Sequence, residues 1–206
     1  MRTKVVSWLL IGTRFYAMSA AMDEDTPILK ILVSDHLGIT EGLKNATETA
    51  SAILGQAGII VNWSLRAPTK SKRAFHAAGP TETGRPDLTV IIVATPLRGH
   101  AVGPAATGMA LIGKPGERPA IAYVYNDRVL SLADLGATTG DRLLGHVIAH
   151  EIGHLLGAGH SPGGIMQSQW NRSQVRLMSR GYLLFRPEEA KSIRQNARDR
   201  VRQREH

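Results

Sequence analysis

His150-Glu151-Ile152-Gly153-His154-Leu155-Leu156-Gly157-Ala158-Gly159-His160 is the stretch on which the reading of this chain turns. His150 and His154 are four residues apart, so on a helix their imidazoles project from one face, one turn apart. Two rings so placed can reach a common metal ion at about 2.0–2.1 Å each. Glu151 lies roughly 100° further round the helix, a position that suits a base holding a water better than a third ligand. Gly157 can adopt the left-handed conformation that ends a helix without steric cost. The chain can then return with His160. Three neutral nitrogen donors leave a tetrahedral zinc one open position, the catalytic rather than the structural arrangement.

In these residues the chain resembles the metzincin clan of zinc endopeptidases, whose motif is H-E-x-x-H-x-x-G-x-x-H followed by a methionine turn. Every specified position of the motif is present. Ser161 after His160 is similar to the matrixin-like branch, and Ser161 to Met166 resembles a short route to the methionine turn, with Met166 beneath the metal. The resemblance implies an α+β fold of the metzincin type: a twisted mixed β-sheet above a cleft, an active-site helix below it, the methionine turn and a C-terminal helix. It also implies one catalytic Zn2+ on His150, His154 and His160. The implied reaction is hydrolysis of peptide bonds by a metal-activated water, with Glu151 as general base and then acid. The substrate would lie extended along an edge strand, for which Thr107 to Ile112 is the candidate, with Gln169 and Trp170 walling the pocket on one side. Two readings compete on the same residues: a zinc-containing peptide-binding domain with little or no turnover, and an amidase acting on a non-protein substrate. The interval from His160 to Met166 is short, and no tyrosine follows Met166 closely; Tyr182 is the nearest.

The rest of the sequence bounds these expectations. At 206 residues the chain suits one domain, assigned to 22–206. The absence of cysteine excludes disulfides, thiolate zinc sites, cysteine nucleophiles and a thiol switch. Residues 1–21 run basic (Arg2, Lys4), apolar (Val5 to Ile11), then small (Ala17, Ser19, Ala20, Ala21), the order of a signal peptide, although Arg14 interrupts it. This predicts a secreted or periplasmic protein; the alternative is a disordered N-terminus on a cytoplasmic one. No run is long enough to span a bilayer. The net charge of +8 is spread between a segment from Arg66 to Arg85 and the arginines from Arg194 to Arg204. Such runs are usually solvated faces, so nucleic acid is not the expected partner.

Hydrophobic periodicity predicts strands at 28–33, 59–63, 88–94, 108–113 and 120–125. It predicts helices at 41–56 behind a Thr40 cap, at 142–156 carrying the motif, and from Pro187 onward. That last helix has one apolar stripe, Ala190, Ile193, Ala197 and Val201. His146 pairs with His150 at helical spacing, but no base adjoins it, and it reads as a packed histidine. His36, His76, His100 and His206 have no ligand partner at recognisable spacing.

Overall fold

Leu29, Ile31, Val33 and Asp35 are buried at alternate positions of one strand, while on its other face Leu32 is buried, Lys30 and Ser34 are half-buried and Ile28 is exposed, so one face of the strand meets the core. The computed structural model describes residues 25–66, 85–96, 102–112, 120–136 and 138–205, and places that strand, β1 (Ile28–Asp35), between two parallel neighbours. β2 (Ile60–Arg66) lies on one side and β3 (Leu88–Val93) on the other. β5 (Ala120–Tyr125) continues the parallel set beside β3, and β4 (Gly108–Leu111) closes the sheet antiparallel to β5. The order is β2-β1-β3-β5-β4, so β4 is an edge. The mixed sheet agrees with the sequence reading; that four of its five strands run parallel was not contained in the order of elements.

The helices supply the other half of the core. α1 (Thr40–Gln56) joins β1 to β2 and turns Leu43, Ala46, Ala50, Ile53 and Leu54 inward at helical spacing. These pack with Leu144, Ile148 and Ile152 of α3 (Gly140–Leu155), a helix buried almost throughout. α5 (Pro187–Glu205) inserts Ile193 and Ala197 into the same core, with Ala190 and Val201 packed at its margin, as the stripe predicted. Several of its arginines are used inside the protein. Arg204 pairs with the buried Asp87 at 2.6 Å, Arg200 donates to the Asp87 carbonyl, and Arg198 and Arg202 meet Asp25.

Two helices were not anticipated. α2 (Asn126–Ala133) follows β5 without a residue between them, and α4 (Arg172–Ser179) precedes the chain's return to α5. Some boundaries also move. β2 starts at Ile60, β3 stops at Val93, and β4 stops at Leu111, beyond which Ile112 is exposed. Thr40 is the first residue of α1 rather than its cap; the cap position falls to Ile39, which makes no side-chain cap bond. α3 starts two residues early, behind Thr139. The N-terminal segment 1–21, most of the basic stretch between Arg66 and Arg85, and His76, His100 and His206 lie outside the described residues. Among the described residues no helix is long and apolar enough to cross a membrane.

Candidate metal centre

The site begins with how α3 ends. Gly157 has φ +86°, and the two bonds that close a helix around such a residue are both made. The Ala158 N–H donates to the Gly153 carbonyl and the Gly157 N–H to the His154 carbonyl, each at 2.9 Å. A third clasp comes from α5, where Asn196 Nδ2 donates to the Leu156 carbonyl at 2.7 Å. The reversal turns the Ala158 carbonyl back toward the helix, where it accepts from His154 Nδ1 at 2.7 Å. His150 is fixed in the same way, its Nδ1 donating to the Ile165 carbonyl at 2.7 Å.

These two bonds decide the tautomers. A carbonyl cannot donate, so the proton sits on Nδ1 in both rings and Nε2 carries a lone pair. These nitrogens converge with that of the third ring: His154 Nε2 lies 3.0 Å from His150 Nε2 and 3.2 Å from His160 Nε2. Tetrahedral ligands at about 2.0–2.1 Å from zinc stand about 3.3 Å apart, so the spacing fits a single ion. Burial pushes His150 down to about 4 and also lowers His154, so these two rings resist the protonation that would let one donate to the other. The predicted ligand set is therefore brought together as one cluster, with His150 buried, His154 half-buried and His160 exposed. Its donors fit one zinc ion.

Glu151 lies in the same cleft and is 3% exposed. Burial raises its carboxyl to about 8. Oε2 is buried and has no hydrogen-bond partner among the described residues. The other side of the carboxylate meets β4, for a Cβ on Gly108 would overlap it and come within 2.7 Å of the Tyr123 carbonyl oxygen. Only glycine lets the edge strand approach the carboxylate so closely. Below α3, Met166 is wholly buried, and a Cβ on Gly153 would lie 2.7 Å from its sulfur and 2.9 Å from the Phe185 ring. That gives the glycine inside the motif a reason its spacing alone did not disclose.

No family model matches the sequence, and no curated protein matches it. Solved structures do. The archaemetzincin from Methanopyrus kandleri superposes with a TM-score of 0.52 at 17% identity, over 82% of this chain and 94% of that one. The fold is similar to that of an archaemetzincin. A zinc-dependent peptidase from Methanocorpusculum labreanum superposes at a TM-score of 0.49 with 18% identity, over 80% of this chain and 99% of that one.

The three histidines and Glu151 sit on the floor of a cleft of about 670 Å³. β4 forms one side, as predicted for Thr107 to Ile112. The segment Gln167 to Trp170 forms another, and Trp170 stands edge-on to His150 with ring centroids 5.3 Å apart. Trp170 also packs against the core. His146 is buried, lies outside the cluster and bonds the Arg142 carbonyl through Nδ1, as a packed histidine should. Tyr182 is 70% exposed and lines no part of the cleft. The residues missed are on α2: Arg128, Ser131 and Leu132, with Leu135 just beyond, all line the cleft. Val129 and Leu132 at i, i+3 were the available signal.

Proposed function

We propose that this protein is a zinc-dependent endopeptidase of the metzincin type. The observation that carries the reading is the convergence of three imidazole Nε2 atoms on the floor of a cleft that also holds a buried carboxylate. Zinc bound by His150, His154 and His160 would supply a Lewis acid that acidifies water and polarises a carbonyl. Glu151 has the complementary task. Its carboxylate takes a proton as water attacks and returns it to the leaving amine, and a carboxyl raised by burial is matched to both halves near neutral pH. A nearby cation would offset part of that rise.

The open side of β4 offers main-chain groups to an extended peptide, since among the described residues β4 pairs only with β5. A substrate bound along that strand passes Gly108 and hence the Glu151 carboxylate. Ile165 and Met166 are read as the methionine turn: the Ile165 carbonyl orients His150 while Met166 fills the hollow at Gly153.

The test is Glu151→Gln in the full chain. It should keep its zinc while cleavage of an unfolded protein such as casein falls about 10²–10⁴-fold, the usual size of a general-base contribution. Parent-like cleavage by this variant would refute the assigned mechanism. Cleavage of peptides blocked at both ends would distinguish an endopeptidase from an enzyme needing a free terminus.

A further inference from the structure

Among the described residues the cleft lining carries only two formally charged side chains, Glu151 and Arg128. The proposed reaction uses the first and leaves the second without a task. Arg128 stands on α2, and Nη1 spends both hydrogens on the loop before β4, donating to the Gly103 carbonyl at 2.8 Å and the Ala106 carbonyl at 2.6 Å. Its guanidinium also lies over the Tyr125 ring, 5.5 Å from the centroid. These contacts fix the plane of the group. They leave Nε–H and both hydrogens of Nη2, three donors in a rigid fork. No described carboxylate forms an ion pair with it.

A strut for the loop would need only Nη1. A guanidinium held in plane with these three donors unspent by those contacts, on a cleft wall where Met109, Leu132 and Trp170 stand beside the neutral Ser131 and Gln169, is built to meet an anion. The apolar part of the wall strengthens such a pair, and among the described side chains no other formal cation lines the cleft. The zinc proposed for its floor is the competing cation, and replacing Arg128 leaves that ion in place. We propose that Arg128 recognises a carboxylate of the substrate, so that the cleft prefers peptides carrying one close to the scissile bond. The carboxylate can come from an acidic side chain or from a free C-terminus. This rests on the peptidase reading of the same cleft, and the net charge of +8 acts in the same direction by drawing anionic chains toward it.

Binding separates this inference from turnover. The full-length Glu151→Gln protein, loaded with zinc, would be titrated by fluorescence anisotropy with labelled peptides in two matched sets. One set exchanges Glu for Gln at successive positions; the other exchanges a C-terminal acid for its amide. The preferred acidic peptide should bind about tenfold more tightly than its neutral partner, as one charge-assisted pair supplies, with the advantage shrinking in high salt. Which set shows the preference identifies the source of the carboxylate. In Arg128→Gln the ratio should collapse toward one, whereas loss of a mere strut would weaken acidic and neutral peptides alike and preserve it. Equal binding of both members in both sets would overturn the proposal, as would a ratio that survives in Arg128→Gln. Selective binding without cleavage by the protein retaining Glu151 would uphold carboxylate recognition and remove the peptidase reading. Cleavage without selectivity would do the reverse.

Discussion

The floor of the cleft and its rim are built in opposite ways. The floor is local: His150, Glu151, His154 and His160 fall within eleven residues, and the turn that orients two of the rings uses backbone from Gly153 to Ile165. The rim is assembled from separate segments: β4 and α2 from earlier in the chain, and the Gln167–Trp170 stretch that follows the turn. A helix and its terminal turn thus suffice to gather the three histidines and the carboxylate, while the walls of the cleft depend on how separate segments dock. Chemistry and selectivity should accordingly be separable by mutation.

The largest effect should come from the floor. His154→Ala removes the ring whose Nε2 approaches both of the others, and zinc in the dialysed protein should drop from about one per chain to near none by elemental analysis. Retention of stoichiometric zinc would mean that the ion sits elsewhere. Gly108→Ala strikes where rim and floor meet. The added methyl must displace the Glu151 carboxylate or lift β4, so turnover should fall about 10²-fold while zinc is kept. If Gly108→Ala instead left kcat intact, the tight seating of the edge strand against the base would be irrelevant to the reaction.

Gly153→Ala probes the floor from beneath. Its methyl crowds Met166 and Phe185, an overpacking that costs about 1–3 kcal/mol, and Tm should fall by roughly 2–12 °C in a protein of this size. An unchanged Tm would show that the Met166 side chain moves aside freely. The smallest effect belongs to Asn171→Ala. Asn171 accepts from the Ser173 N–H at 2.7 Å and caps α4 immediately after Trp170. Losing it should lower Tm by about 2–4 °C, the equivalent of about 1 kcal/mol. It should also raise KM through Trp170 without touching zinc content, and a loss of zinc would contradict the separation of rim from floor.

The same division explains what could be read in advance. β1, α1, β3 and α3 are strongly patterned elements, and the three histidines of the cluster were marked by their spacing. α2 and α4 have eight residues each, too few for a clear period, and α2 begins where β5 ends with no glycine or proline to mark the change. α4 did leave a mark: Asn171 and Gln174 stand at capping-box spacing, and both reciprocal bonds are made. Arg128 could not have been singled out, because its importance arises only when α2 places it beside the loop before β4. Gly108 and Gly153 are likewise informative only once their neighbours from other segments are in place.

The three imidazoles also form a gradient from core to solvent, His150 buried, His154 half-buried and His160 exposed on the chain beyond Gly157. Departure of the outermost would leave α3 wound, because the helix end is clasped independently by Asn196. Loss of the ion would then proceed through a two-histidine stage without unfolding. A chelator should therefore strip the folded protein at a rate set by the departure of His160, and a returning ion would find its first two anchors already in position.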